Sequence, residues 1–150
     1  MQEIVKATPA DRASVEEIVK AAYSHYIARN GVVPGPMEDD YAAYIEAGYV
    51  NVLRGDTGIE GVLVLIPEEE ALLLDNIAVS PAAQGKGHGR VLLDYAEAAA
   101  RKMGFSRIRL YTQVIMTENQ AIYAKRGYVE TKRAVENGRH RVYMEKNLTA

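Results

Sequence analysis

The segment LLLDNIAVSPAAQGKGHG, residues 72–89, runs an apolar β-type stretch ending Ile77-Ala78-Val79 into three alternate glycines, Gly85, Gly87 and Gly89, and an amphipathic helical pattern follows at once. Glycine admits φ > 0 and lets a ligand come close to the backbone. The first turn of a helix leaves amide N–H groups unpaired and carrying partial positive charge. A strand, a glycine loop and a helix start therefore form a cradle for phosphate. Two common phosphate motifs do not fit. Arg90 and Val91 follow the glycines, so the spacing is not G-x-G-x-x-G, and no G-K-[ST] occurs anywhere.

Towards the N-terminus, Ala71 to Val79 reads as a strand. Tyr49 to Leu53 and Ile59 to Ile66 are β-rich runs joined around Gly55-Asp56-Thr57-Gly58, a hairpin signal. Before them, Glu3 to Ala7 can start an edge strand. Thr8-Pro9-Ala10-Asp11 suits a helix start, and Val15, Ile18, Val19, Ala22 and Tyr26 share one helical face up to Asn30-Gly31. Met37 to Ala47 reads as a second, short helix with Glu38, Asp39 and Asp40 near its N-terminus, where the dipole favours them.

Towards the C-terminus, the helix after the glycines places Leu92, Ala96, Ala99 and Met103 on one face and is closed by Gly104. Ile108 to Thr112 is a strand, and the strand–helix–strand unit implies parallel pairing. Thr117-Glu118-Asn119-Gln120 has the T-x-x-Q form of a capping box, opening a helix through Arg126. Tyr128 to Val135 and Arg139 to Lys146 are two strands joined by Asn137-Gly138. The chain reads as one α/β domain over residues 1–150: a mixed twisted sheet of about seven strands with helices on both faces, in the order β-α-α-β-β-β-α-β-α-β-β.

Two blocks in this order resemble the GNAT superfamily of N-acetyltransferases. Gln84-Gly85-Lys86-Gly87-His88-Gly89 fits Q/R-x-x-G-x-G/A, the coenzyme A pyrophosphate loop of that superfamily. Asn119-Gln120-Ala121-Ile122-Tyr123-Ala124-Lys125-Arg126-Gly127-Tyr128 is similar to its N-x-x-A-x-x-x-Y-x-x-x-G-[FY] block with a shorter gap. The element order resembles the GNAT fold over the whole chain, and most of all its bacterial single-domain members, including those that acetylate ribosomal-protein N-termini.

The resemblance implies an acetyl-CoA-dependent N-acetyltransferase. The acceptor is a primary amine on a small molecule, an amino acid or a peptide or protein N-terminus, attacking directly in a ternary complex. Gln84, Gly85, Lys86, Gly87, His88, Gly89 and Arg90 take the pyrophosphate; His88 is expected to face solvent and contribute through its backbone. Ile77, Ala78 and Val79 pair with the pantetheine amides, a small case of strand addition, and an N–H near Val79 stabilises charge on the thioester oxygen. Asn119 bonds the pantetheine arm. Tyr123, four residues on and so on the same helix face, protonates the leaving thiolate, since a phenol near ~10 is protonated where a thiol near ~8.5 is not.

The base is open between Asp75, which by strand parity shares a face with Ile77 and Val79, Glu118, and a water chain. Tyr23, Tyr26, Tyr41, Tyr44 and Tyr49 place half of the chain's 10 tyrosines in one short stretch. They read equally as packed helix faces and as an acceptor pocket in which Tyr26, Tyr41 and Arg29 touch the acceptor. A non-catalytic acyl-CoA sensor or interaction module on the same fold would keep the loop and dispense with the acid.

Composition narrows the classes further. Cysteine is absent, which excludes disulfides, cysteine–zinc sites and a cysteine nucleophile. His25, His88 and His140 lack metal-ligand spacing, so no metal is expected. Residues 1–83 hold 5 Lys+Arg against 14 Asp+Glu, and residues 84–150 hold 13 against 6, within a net charge of -2. The basic half, with Lys86, Arg90, Lys125 and Arg126, suits a polyanionic ligand. No basic stripe with interleaved aromatics points to nucleic acid, and no long apolar run points to a membrane. A cytoplasmic protein is the expectation, and pairing of two copies through their sheets or C-terminal strands is what the resemblance allows.

Overall fold

Val62 and Val64 bury on one face of a sheet and Leu63 and Leu65 on the other, the period-two pattern of a strand covered on both sides. In the computed structural model, residues 2–31, 33–56 and 58–148 are described, with the backbone alone for residues 25–30. Among these residues the elements follow the expected order: β1 (Glu3–Lys6), α1 (Arg12–Asn30), α2 (Tyr41–Glu46), β2 (Val50–Gly55), β3 (Gly58–Pro67), β4 (Leu72–Val79), α3 (His88–Lys102), β5 (Arg107–Gln113), α4 (Thr117–Lys125), β6 (Val129–Glu136) and β7 (Arg139–Asn147). They form one sheet in the order β1-β2-β3-β4-β5-β7-β6. The β4–β5 pair is parallel and the others are antiparallel.

One core lies between the sheet and α1–α2, built on Val15, Val19, Tyr41, Val50, Val52, Val62 and Val64. The other, under α3 and α4, is built on Leu53, Leu63, Leu72, Leu74, Leu92, Ala96 and Leu110. Burial of each of these larger side chains is worth roughly 1.5–3 kcal/mol. Met103 lies past the end of α3 and is 48% exposed, off the face that Leu92, Ala96 and Ala99 share.

The start of α1 follows its local signals. Asp11 accepts the Thr8 backbone N–H at 2.8 Å and the Thr8 hydroxyl at 3.2 Å, and Arg54 on β2 donates to the same carboxylate at 2.9 Å. Two helix starts differ from expectation. The run from Met37 is divided: Gly35–Glu38 is a 3-10 turn and α2 begins at Tyr41. Asp40 is its N-cap and accepts the Ala43 N–H at 3.1 Å, which fixes the boundary there. The T-x-x-Q capping box does not form. Met116 is the N-cap of α4, and the Gln120 amide donates instead to the carbonyls of Gln113 and Val114 at 3.1 and 2.9 Å. Those carbonyls lie where the chain leaves β5, and satisfying them outweighs a cap on an exposed helix end.

The arrangement that shapes the site is in β4. Its pairing with β5 covers Leu72–Ile108, Leu73–Arg109 and Leu74–Leu110 and then ends, although β4 continues to Val79 and β5 to Gln113. β5 stays paired with β7 along its length, so the sheet opens as a wedge between β4 and β5. On the other side of β4 the register jumps from Leu65–Leu74 to Val64–Asn76, which makes Asp75 the extra residue of a β-bulge.

Candidate active site

The bulge corrects the parity reading of Asp75. Leu74, Ile77 and Val79 all pack on the core under α3, and Asn76 and Ala78 face α1 and α2. Asp75 points neither with Ile77 nor with Val79. Its Oδ1 accepts the Tyr111 hydroxyl of β5 at 2.9 Å, across the opened wedge.

A cleft of about 660 Å³ enters the wedge from the side of α3 and α4, a size that suits a cofactor-like ligand. Of the residues expected to hold coenzyme A, eight line it: Ile77, Ala78, Val79, Gln84, Gly89, Arg90, Asn119 and Tyr123. Gly85, Lys86, Gly87 and His88 do not. Gly85 and Gly87 have φ of 84° and 82° and turn the chain into α3, with Gly87 as its N-cap. Their part is to shape the loop, a conformation that L side chains resist.

His88 does not face solvent. It is 2% exposed, and its Nε2 lies 2.7 Å from Oε1 of the buried Glu60 on β3, with the Gln2 side chain 3.2 Å from Nδ1. The ring bridges two side chains, Glu60 at Nε2 and Gln2 at Nδ1. The first turn of α3 is thereby fastened from beneath to the sheet, next to Gly89 and Arg90 in the lining of the cleft. Nothing local signals this, because the partner lies 28 residues away.

The basic residues of α4 are not equally available. Arg126 donates to Asp94 at 2.7 Å and to Glu97 at 3.1 Å, so acidic side chains of α3 already hold it. Glu97, 5% exposed, also accepts Lys146 at 2.7 Å and Tyr128 at 3.2 Å. This cluster fastens the end of α4 to α3 and β7. Arg90 and Lys125 line the cleft as well. Residues the sequence reading missed there include Ala22, Leu93 and Ile122. Ile122, 51% exposed, was findable: it lies three residues from Asn119 on the same helix face.

A second, smaller cavity of about 30 Å³ lies across the wedge, on the side of α1 and α2, with room for on the order of two waters. Asp75, Tyr111, Gln113, Arg139 and Arg141 line it. Tyr23, Ile77, Asn119 and Tyr123 line both spaces, so the two cavities meet at these four side chains. Two polar atoms of the small cavity's lining are buried with no hydrogen-bond partner among the described residues, Asp75 Oδ2 and Gln113 Nε2. Leaving such atoms unpaired costs about 1–3 kcal/mol each, so they favour a polar occupant of the cavity, water or ligand.

Tyr123 is 6% exposed and packs its ring on Tyr128 at 5.7 Å. Burial pushes its phenol well above the ordinary value, so it stays protonated at neutral pH. Among the described residues its hydroxyl has no hydrogen-bond partner. Tyr41 is 1% exposed and lines neither cavity; its hydroxyl donates to the Pro36 carbonyl and accepts from Asn76, which also accepts from Tyr23. Tyr41 thus supports the wall of the site. The side chains of Tyr26 and Arg29 lie outside the described residues. Glu118 lines the cofactor-sized cleft and not the small cavity. Among the described residues no group of three or more His, Cys, Asp or Glu side chains could hold a metal ion, and no helix is long and apolar enough to cross a membrane.

Comparison with known proteins agrees with this architecture. Residues 13–128 match the profile of the Acetyltransferase (GNAT) family. The chain is similar to the uncharacterized N-acetyltransferase YesJ of Bacillus subtilis, 29% identical over 81% of this chain and 73% of that one. It is also similar to a mycothiol acetyltransferase of Jonesia denitrificans, 33% identical over 46% of this chain, a match that spans only 22% of that longer protein. Among solved structures, the PaiA N-acetyltransferase of Thermoplasma acidophilum in complex with coenzyme A superposes with a TM-score of 0.79 at 20% identity, covering 98% of this chain and 99% of that one.

Proposed function

Since the chain belongs to the Acetyltransferase (GNAT) family, we propose that it transfers the acetyl group of acetyl-CoA to a primary amine by direct attack in a ternary complex. The observation that carries this reading is the meeting of a large cleft and a small polar cavity at Tyr23, Ile77, Asn119 and Tyr123. A donor in the first and an acceptor in the second would bring their reacting atoms together in the wedge between β4 and β5.

The residues fit coenzyme A. The first turn of α3 at Gly89 offers unpaired N–H groups, Arg90 and Lys125 offer charge, and among the described residues the β5-facing edge of β4 beyond Leu74 has no strand partner for its backbone groups. When bound, acetyl-CoA supplies the activated acetyl group as a thioester. Tyr123, protonated and with its hydroxyl uncommitted, donates to sulfur. The phenol is a weaker acid than a thiol, so its proton moves only as the C–S bond breaks and negative charge gathers on sulfur. Asp75 is the carboxylate among the described residues that line the small cavity, and it is the proposed base. The acceptor is a compact amine head, borne by a small molecule, an amino acid or a peptide or protein N-terminus.

Calorimetric titration with acetyl-CoA, with ATP and NAD as controls, tests the cofactor assignment. Thiol release on a panel of primary amines then tests turnover. Selective acetyl-CoA binding with amine-dependent thiol release is the expected result. Selective binding without thiol release from any amine would favour a non-catalytic acyl-CoA sensor, and no binding by folded protein would overturn the reading of the loop.

A further inference from the structure

The wall that β5 and β7 give the small cavity is a row of hydrogen-bond donors. Tyr111 and Gln113 stand two residues apart on β5, and Arg139 and Arg141 two apart on β7. Gln113 pairs with Arg141 in the register of the two strands, so the four side chains share one face of the sheet, and all four residues line the cavity. Across the wedge stands the carboxylate of Asp75 on β4. Gln113 and Asp75 are 6% and 7% exposed, and Gln113 Nε2 and Asp75 Oδ2 have no hydrogen-bond partner among the described residues. The cavity thus holds one buried donor without an acceptor and one buried acceptor without a donor.

Charge is divided in the same sense. The Arg141 guanidinium carbon lies 4.3 Å over the Tyr111 ring, and the Tyr111 hydroxyl donates to Asp75 Oδ1 at 2.9 Å. The Tyr111 side chain spaces the cation from the carboxylate, and among the described residues Asp75 forms no ion pair with either arginine. Arg139 is held on two sides, by the Val33 carbonyl and by Glu38, each at 2.9 Å. Arg141 has a longer bond, 3.3 Å, to the 42% exposed side chain of Glu136, and a guanidinium carries five N–H donors. Gly35 leaves room beside it: a Cβ there would stand 3.4 Å from Arg141 Nη2. Water in the cavity would pair the two orphaned atoms but bring no charge to either wall. A ligand with an ammonium at one end and a carboxylate at the other brings both.

We propose that the acceptor is a free α-amino acid, held with its ammonium at Asp75 and its carboxylate at Gln113 and Arg141. This rests on the acetyl-transfer reading above and narrows its acceptor. One carbon separates the two charged groups of such a ligand, a head compact enough for a cavity of about 30 Å³. A peptide N-terminus would present a neutral amide carbonyl at the same place and leave Arg141 without an anion. A plain amine would leave Gln113 unpaired as well. A buried donor satisfied only by the correct ligand discriminates strongly against the analogue that lacks its partner. Gln113 and Arg141 are specificity residues and take no part in the bond changes.

The test uses protein with ¹⁵N-labelled glutamine side chains, in which the Gln113 amide signal is assigned by its loss in Gln113→Glu. Glycine, glycinamide, methylammonium and acetate are the first probes. The common L-amino acids follow, each beside its amide and its decarboxylated amine. At least one amino acid should shift the Gln113 signal, with an affinity roughly tenfold or more above that of its amide and its amine. In a thiol-release assay with acetyl-CoA, kcat/KM should follow the same order. Gln113→Glu sets a carboxylate against that of the ligand, so the kcat/KM ratio of amino acid to decarboxylated amine should fall roughly tenfold or more. A merely structural role would lower both rates and leave the ratio alone. Should Gln113→Glu not fold, Gly35→Ala crowds the same place, its Cβ meeting only the Arg141 and Arg139 side chains among the described residues, and should move the ratio the same way. A Gln113 signal indifferent to every amino acid, or amides or amines bound as well as the acids, would overturn the proposal. The two readings fail separately. Amines without a carboxylate acetylated as fast as amino acids would end this proposal and leave acetyl transfer standing; amino-acid binding at Gln113 with no thiol release would uphold the site and count against acetyl transfer.

Discussion

Asp75 and Tyr111 meet through a 2.9 Å hydrogen bond one residue beyond the last paired residues of their two strands, Leu74 and Leu110. The strands have parted there, and side chains, not backbone, bridge the gap. The bulge at Asp75 and the opening of the sheet thus coincide, and the small cavity begins at that point.

Gly89→Asp should separate binding from folding. Gly89 is the second residue of α3, a Cβ there meets nothing within 4 Å, and its φ is not positive. An aspartate in the first helical turn suits the dipole by about 0.3–1 kcal/mol. Thermal stability should therefore hold or rise while acetyl-CoA binding in the calorimeter is lost, because the carboxylate occupies and repels the phosphate position. Undiminished binding would count against the loop. Gly87, with φ of 82°, is a poorer test because any side chain there strains the turn.

Tyr123→Phe should reduce kcat by roughly 10²–10⁴-fold, the usual loss of a general acid, with acetyl-CoA affinity nearly unchanged. The hydroxyl makes no hydrogen bond among the described residues, so the midpoint of urea unfolding should barely move. Single-turnover kinetics with an amine substrate reads the chemical step; unchanged turnover there would remove Tyr123 from the acid role.

Glu97→Ala should be strongly destabilising. The carboxylate is 5% exposed and accepts from Arg126, Tyr128 and Lys146. Removing it strands Lys146 and the Tyr128 hydroxyl and leaves Arg126 with Asp94 alone, at a cost of about 3 kcal/mol, read from urea unfolding. Because the cluster holds the end of α4, an acetyl-CoA Kd measured below the unfolding range should also rise.

Asp39→Asn should be more stable than wild type at pH 8 and no more stable at pH 4. The folded-state pKa is raised to about 7, so the carboxyl's contribution is complete below its unfolded value and disappears as pH rises through about 7. The amide avoids that loss, and the gain at pH 8 should be on the order of 1–3 kcal/mol after allowance for partial solvation. A thermal melt at each pH checks the crossover.

Alkaline pH should unfold the protein steeply. Burial pushes the phenols of Tyr41, Tyr111, Tyr123 and Tyr128 upward. Above about pH 10 the unfolded chain ionises them while the fold holds them neutral, so the native state binds more protons and stability falls. The four together cost about 5 kcal/mol over the span from pH 9 to 11, with the slope steepening as the unfolded chain becomes fully ionised, checked by urea midpoints across that range. A flat profile would show that these phenols ionise in place.

The order of strands and helices, the glycine loop and the Asn119–Tyr128 block were legible because their signals are local. Periodicity, turn chemistry and glycine conformations such as φ of 84° at Gly85 depend on a few neighbouring residues. Eight of the expected cofactor residues line the cleft for the same reason: a strand end, a loop and one helix face place them together. Tertiary structure alone decided the rest. A single-residue bulge turned Asp75 out of its parity, and Glu60 drew His88 inward from 28 residues away. Glu97 claimed Arg126, and the parting of β4 from β5 set Asp75 against Tyr111. Each of these depends on which polar groups share a desolvated space. Pattern along the chain records which residues will be buried, but the partner that makes a buried charge tolerable is chosen only when distant segments meet.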